Sequence, residues 1–447
     1  MSPGDAARAA AARASTGARR AAHRTFRSLE IRNYRLYFFG QAVSMTGTWM
    51  QSVAQAWLIL SLTGSGLALG LTAALQFGPI LLLGPWGGVL ADRLDKRKVL
   101  MGTQSAAGGL AAVLGVLTVT GVVEAWMVWV FAGMLGLVTA LDNPARQSFV
   151  FEMVGRRDLP NAVSLNSVLM NGARVVGPGV AGLLIATVGT GPCFLLNAVS
   201  FVAVVVALWR MRPEELLGRE RVARSKGQLR EGLRYVARTP ALRRPLLLML
   251  VVGTLGFNFS TLLPLFATKS LHQGPGGYGV MFSMMGVGAV AGGLVIAFRG
   301  SVGDRLMTGS AAVFGAALAL LALMPSLPAA LAAMVPCGVA NTAFISSSNS
   351  LLQSHAAPAM RGRVMALFGV VFLGTTPIGA PLAGWAAESL GARAAFVLAG
   401  AAVLLAAATT RVVLHRSARS APVSTGELSV PGVRAAGPST VPIGSPR

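Results

Sequence analysis

Gly172-Ala-Arg-Val-Val-Gly177-Pro-Gly-Val-Ala181-Gly182 and Gly374-Thr-Thr-Pro-Ile-Gly379-Ala-Pro-Leu-Ala383-Gly384 decide the fold of this chain. Gly172, Gly177, Ala181 and Gly182 recur as Gly374, Gly379, Ala383 and Gly384 at a constant offset of 202 residues. The first stretch falls in the fifth long apolar segment and the second in the eleventh. A repeat six segments apart reads as two six-helix bundles grown from one pattern. Such halves are related by a pseudo-two-fold axis along the membrane normal, as in large carriers built from parallel repeats.

Composition agrees. Of 447 residues, 54% are hydrophobic and only 12% charged, too little charge to cover a soluble protein of this size. The apolar residues gather in runs of roughly 17–25, the length that crosses a hydrocarbon layer about 30 Å thick. Twelve spans are expected, near 35–60, 66–91, 99–121, 124–142, 162–188, 191–209, 245–268, 277–298, 304–324, 327–349, 363–388 and 393–411. Lipid offers no partner to an open strand edge, so the fold class is all-α and integral to the membrane, with twelve transmembrane helices. Residues 34–209 and 245–411 are the two bundles, 210–244 a cytoplasmic linker, and 1–33 and 412–447 cytoplasmic tails.

The net charge of +23 invites a nucleic-acid partner until its distribution is traced. Basic residues crowd the segment before the first span and then alternate loops: Arg93 to Lys98, Arg146 to Arg157, Arg210 to Arg244, Arg299 and Arg305, Arg361 and Arg363, and the C-terminal tail. The opposite loops hold little beyond Glu124, Lys269, Glu388 and Arg393. This alternation is the positive-inside pattern of a cell (inner or plasma) membrane protein with both termini in the cytoplasm. The partner it implies is the lipid bilayer, not nucleic acid. Residues 1–30 lack the apolar core of a secretory signal and read as a basic tail near anionic lipid; 418–447 read as unstructured. Leu229, Leu233 and Val236 recur at helical spacing opposite Arg230, Arg234 and Arg238. That pattern suits a surface helix on the membrane or, more simply, a solvated linker with no direct part in transport.

No P-loop, metal-ligand spacing or nucleophile–base pair is visible, which argues against a cofactor, a metal site and an enzyme. Cys193 and Cys337 match no redox spacing and read as packing residues. Energy for transport then comes from an ion gradient or from the substrate's own gradient.

The loop Gly88-Val-Leu-Ala-Asp92-Arg93-Leu-Asp95-Lys96-Arg97-Lys98 resembles the signature loop of the major facilitator superfamily. Gly88, Asp92, Arg93, Lys96 and Arg97 match; Asp95 stands where the family has a second glycine, so an Asp is expected to make that turn. A carboxylate at Asp92 suits the positive N-terminus of a facing helix. The resemblance implies that this helix is span eleven and that Asp92, Arg93 and Arg97 hold one access state shut at the cytoplasmic side; the other reading is topogenic charge alone. Asp142 closes the expected span four, because Pro144 continues a helix poorly. Similar transporters place an acid here in the loop network, with Arg97 as the candidate partner; the alternative is a solvated helix end.

The glycine helices resemble the motif of exporters that work as antiporters. Ala173, Gly177 and Ala181 form a small-residue stripe that Thr375, Gly379 and Ala383 repeat, and such stripes let backbones approach closely. Pro178 and Pro381 cannot donate to the carbonyls of Arg174 and Pro377, so each is a candidate kink. Gly177, Pro178, Gly379 and Pro381 are therefore read as gating residues, against ordinary tight packing. Arg174 lies about 18 Å into its span, near the midplane, on a face shared with Ser167 and Asn171. A charge there faces a cavity or a partner, and no acid is expected at comparable depth. It reads either as a contact for an anionic or strongly polar substrate or as a clamp on helix carbonyls.

Span one carries a polar stripe of Gln41, Ser44, Thr48, Gln51 and Gln55, with Trp49 and Trp57 beside it. Asn258 in span seven and Asn341 in span ten add hydrogen-bonding groups on an aromatic, Met-rich background that suits a large amphipathic ligand. Candidate substrate contacts are Gln41, Thr48, Gln51, Gln55, Asn171, Arg174, Asn258 and Asn341. Across residues 34–411 the chain is most similar to the enterobactin-exporter and macrolide-efflux (drug:proton antiporter) branch, through Ala-Leu-Asp142-Asn-Pro-Ala-Arg-Gln and Arg174-Val-Val-Gly-Pro. The resemblance implies a secondary active exporter of drugs or siderophore-like metabolites, working by alternating access with proton antiport. The other classes are uptake of a polar nutrient by symport and a non-transporting membrane sensor or scaffold.

Overall fold

The computed structural model describes residues 26–217, 228–299 and 302–419, and the side chains of these except 85–93, 228–230 and 417–419. Every regular element in them is helical. The first half contains α1 (Arg32–Thr63), α2 (Gly66–Arg93), α3 (Lys96–Val119) and α6 (Gly191–Trp209). Between α3 and α6 runs Ala125–Val188, interrupted at Gly155 (φ 69°, ψ 178°) and so divided into α4 (125–154) and α5 (156–188). Only glycine takes that φ without strain, so Gly155 folds one helical run into two.

The second half begins with α7 (Gln228–Arg238). Then follow α8 (Pro240–Gly256), α9 (Phe259–Leu265) with a π-helical turn Phe266–Ser270, α10 (Pro275–Arg299), α11 (Asp304–Leu323), α12 (Leu327–His355), α13 (Arg361–Gly374), α14 (Thr376–Ser389) and α15 (Ala392–Arg419). Among the described residues ten helical stretches are long and apolar enough to cross a membrane. Ala125–Val188 counts once among them despite its fold at Gly155, and α1 is not among them. Large apolar side chains such as Leu82, Val168, Leu183, Phe298 and Leu405 point outward, as a lipid-facing surface requires.

Packing repeats between the halves. A methyl added at Gly177 of α5 would strike Trp49 and the Thr46 carbonyl of α1; one at Gly379 of α14 would strike the Thr254 carbonyl of α8. Gly136 of α4 lies on the Gln76 carbonyl of α2, and Gly338 of α12 on the Met285 carbonyl of α10. α3 packs on α6 as α11 packs on α15. The small-residue stripes thus set backbone-to-backbone distances in both halves.

Several expectations are corrected. Pro144 does not end α4, which continues for about three more turns to Gly155; a proline inside a packed membrane helix costs one backbone bond, which the continuing helix tolerates. Asp95 adopts ordinary extended geometry (φ −66°, ψ 109°) and caps α3, its side chain accepting from the Lys98 N–H at 3.2 Å. Pro178 sits in unbroken helix, whereas the partner stretch is interrupted at Thr375, just before Pro377. The linker helix α7 is not a free solvated element. Glu231 pairs with Arg363 at 2.6 Å, the Tyr235 hydroxyl accepts from the Ala357 N–H at 3.2 Å, and Val236 is buried. Its docked face is Gly232, Tyr235 and Val236, while Leu233 is exposed.

Candidate functional site

A cavity of about 520 Å³ lies between residues of the two halves, within the range that holds small organic ligands. From the first half it is lined by Thr48, Trp49, Gln51 and Gln55 of α1, Gln76 of α2, Asp142, Asn143 and Arg146 of α4, and Arg174 of α5. From the second half come Phe257, Phe259, Tyr278, Phe282, Asn341 and Phe372. The charged lining residues are Asp142, Arg146 and Arg174, all from the first half.

Asp142 is 3% exposed and lies twelve residues before α4 ends at 154, so it is a buried acid and not a solvated helix end. Its Oδ1 accepts from Thr103 Oγ1 at 2.7 Å and Gln104 Nε2 at 2.8 Å, both on α3. Its Oδ2 accepts from Arg146 Nε at 2.9 Å and also from Arg146 Nη2. Arg146 Nη1 donates onward to Gln41 Oε1 at 2.7 Å. A carboxylate has about four acceptor positions, and here four donors fill them. One ion pair thereby ties α1, α3 and α4 together. The partner expected for Asp142 is Arg97; instead Arg97 donates to the carbonyls of Leu208 at 2.6 Å and Trp209 at 2.8 Å, at the end of α6, where a cation meets the negative end of the helix. Lys96 pairs with Glu152 at 2.6 Å. Gly88, Asp92 and Arg93 lie outside the residues whose side chains are described.

The remaining candidates separate into two groups. Thr48, Gln51, Gln55, Arg174 and Asn341 line the cavity. Gln51 accepts from Asn197 Nδ2 at 2.6 Å, and Gln55 donates to Gln76 at 3.3 Å. Gln41 is buried one layer back, holding Arg146. Asn171 donates to the Ser167 carbonyl and Asn258 to the Thr254 carbonyl, and neither lines the cavity. Arg174 stacks on Trp49, its guanidinium carbon 5.0 Å from the ring centroid. Among the described residues Arg174 bonds to no helix carbonyl, as a clamp would, and its Nε is buried without an acceptor. Sequence reasoning missed Arg146, Thr103 and Gln104. The available signal is spacing, since Arg146 follows Asp142 by four residues and so shares its helix face.

The halves meet chiefly toward the ends with few charges. Methyl groups on Gly66 and Gly384 would each strike the other's carbonyl, and Gly70 lies on Ala380 and Pro381. Gly182 meets Pro275, Gly276 and Gly279, while Gly279 also touches the Pro178 carbonyl. Trp57 stacks on Tyr278, with centroids 6.3 Å apart. The two glycine motifs therefore make equivalent contacts: the first packs on α1 of its own half and α10 of the other, the second on α8 of its own half and α2 of the other.

Comparison with known proteins completes the assignment. The chain is 29% identical over 381 residues to the multidrug efflux pump Tap of Mycolicibacterium fortuitum, covering 83% of this chain and 93% of that protein. It is 24% identical to macrolide efflux protein A of Streptococcus pyogenes, covering 83% and 94%. It is 26% identical to the staphyloferrin A transporter of Staphylococcus aureus, covering 58% and 66%. Among solved structures, a bacterial homologue of the human lysosomal transporter Spinster, inward-facing and unoccupied, superposes with a TM-score of 0.71 at 14% identity, over 87% of this chain and 97% of that one. The nucleoside transporter NupG reaches 0.69 at 12% identity, over 86% and 99%. These two structural likenesses carry the fold alone. The pattern of the transmembrane secretion effector family matches residues 23–435, and the chain is therefore a multi-pass membrane transporter of that family, within the major facilitator superfamily, and not an enzyme.

Proposed function

We propose that this protein exports drugs or siderophore-like amphipathic metabolites by alternating access, driven by proton antiport. The cavity carries this reading: it is large enough for such a ligand and is walled by both halves, so that rocking one half against the other changes its exposure. The named activities of the three relatives are efflux or siderophore transport, which supports export over nutrient uptake. In this reading twelve spans form two six-helix bundles, 34–209 and 245–411, and both termini and the 210–244 linker lie in the cytoplasm. The sparsely charged ends, where the halves meet, then face outward. Of the gating candidates, Pro178 and Pro381 lie where the halves slide on one another, while Gly177 and Gly379 hold each motif helix against α1 or α8 of its own half. Asp92, Arg93 and Arg97 act at the cytoplasmic side.

Asp142 is the acid available on the cavity lining and is the group we assign to carry the proton. A proton arriving there breaks the pair with Arg146 and loosens the bonds joining α1, α3 and α4. The test is transport into inside-out proteoliposomes under an imposed pH gradient, with a neutral macrolide, an iron-free siderophore and a lipophilic cation as substrates. Gradient-dependent accumulation of at least one supports the exporter. Accumulation only in the reverse direction, or none with all three, overturns it.

A further inference from the structure

We propose that the cavity selects amphipathic organic anions, seating a carboxylate or similar acid group on Arg174 beside Trp49. This rests on the reading of the cavity as the transport site, and not on the identity of the driving ion.

The argument begins with charge. Of the three charged lining residues, Asp142 and Arg146 neutralise each other, and the Asp142 oxygens are fully occupied by Arg146, Thr103 and Gln104. Nothing of that carboxylate is left for a cationic ligand. Arg174 is the opposite case. Among the described residues it has neither an ion pair nor a hydrogen bond, and its Nε is buried without an acceptor. Its one specific neighbour is the Trp49 ring at 5.0 Å, and stacking holds a guanidinium in place without consuming its N–H donors. The lining therefore carries one uncompensated positive charge. A charge held inside a membrane protein without a counter-ion is costly, and a ligand that brings the missing anion relieves that cost. Guanidinium presents paired donors that match a carboxylate.

The aromatic lining from the second half sets the rest of the ligand, Phe282 standing beside Trp49 with ring centroids 5.9 Å apart. Phe257, Phe259, Phe282 and Phe372 present aromatic surface and no charge, which suits an apolar body of some bulk. An acid head on Arg174 and an apolar body on these rings describe one amphipathic molecule held in the cavity.

The test is equilibrium binding of three fluorescent probes to the full-length protein in nanodiscs: dansyl-leucine, its neutral amide, and the cationic dansylcadaverine. The acid is expected to bind about tenfold tighter than the amide, the gain of one charge-assisted contact, with the cation weakest. Arg174→Gln should cost the acid about tenfold and the amide less than about twofold, while Arg174→Lys keeps part of the preference. Equal binding of acid and amide by the native protein overturns the proposal, as does an equal loss of both in Arg174→Gln. Tightest binding by the cation overturns the charge selectivity while leaving the site standing. Failure of all three probes to saturate overturns the site itself and this proposal with it. Should Arg174→Gln not fold, the native acid-to-amide ratio and Arg174→Lys still decide.

Discussion

The two halves of this chain hold their helices by the same contacts and show the cavity different faces. Gly177 on α1 has its counterpart in Gly379 on α8, and α5 against α10 has its counterpart in α14 against α2. Yet the first half supplies Asp142, Arg146, Arg174 and several glutamines, and the second half supplies uncharged residues, Phe257, Phe259, Phe282 and Phe372 among them. The lesson is that close backbone packing constrains both copies equally, because any side chain larger than a proton strikes a neighbouring main chain. A lining position meets only the ligand, so the copies are free to differ there.

The shared part breaks most severely. Gly384→Val places a branched side chain against the Gly66 carbonyl, at the seam between the halves. We expect transport to fall by at least about 100-fold, because a closed state that cannot form is removed from the cycle, while the protein still folds. Gly182→Val should do the same at the equivalent seam but less completely, since its nearest contact, the Pro275 carbonyl, stands at 3.0 Å. Labelling of a Thr48→Cys reporter by an impermeant thiol reagent from each side checks both. Unaltered labelling in Gly384→Val breaks the idea that this seam gates access.

The unshared part is tested next. Asp142→Asn keeps the shape and removes the charge, leaving Arg146 unpaired. Gradient-driven accumulation is expected to fall about 100-fold, the low end for a lost proton-transfer group. Binding of an anionic probe should not weaken, because the lining has become more positive. Coupled transport that survives in Asp142→Asn removes Asp142 as the proton carrier; weakened anion binding would mean that the pair shapes the site rather than charging it.

This division also explains what can be read in advance. The close packing at the glycine motifs and the place of Arg174 on the cavity are legible because periodicity and an isolated charge are local signals. The depth of Asp142 is not. Pro144 suggests a helix end, and nothing local shows that α4 runs on to Gly155, where a positive φ rather than a proline makes the fold. The same error hides Arg146 among the loop cations. Helix face alone places Asn171 and Asn258 on the site, but each bonds to a carbonyl four residues back. A short polar side chain on a helix has that partner always within reach.

On the aromatic side, Phe257 sits at the break between α8 and α9 and makes edge contacts with Phe314, Phe344 and Phe372 at centroid distances of 5.8, 6.5 and 6.1 Å. Phe257→Ala should cost about 2–3 kcal/mol of stability, below the value for a fully buried ring because this one is half-buried. It should also weaken dansyl-leucine and its amide alike, by about fivefold to tenfold. That pattern is the converse of Arg174→Gln, and thermal unfolding together with the same binding assay reads both. A loss confined to the acid would contradict the division of labour between the walls.

The smallest effect is expected where the two halves are joined by side chains rather than backbones. Glu388 at the end of α14 accepts from Ser65 Oγ at 2.7 Å and from the Leu67 N–H at 3.0 Å, so an acid of the second half caps the start of a first-half helix. Lys269 donates to the Gly64 carbonyl at 3.2 Å beside it. This is the arrangement expected of Asp92 and span eleven, found at the opposite end with the halves exchanged. Glu388 is exposed, and a charge at a helix N-terminus in that setting shifts an equilibrium by about twofold to fivefold. Glu388→Gln should therefore raise labelling of Thr48→Cys from the face on which Glu388 lies by that factor and leave anion binding unchanged. Because Gly384 lies one turn earlier on the same helix, the two variants probe one seam by different means. If Glu388→Gln opens it as far as Gly384→Val does, the seam is held by charge, and the backbone packing repeated in both halves is not what closes this gate.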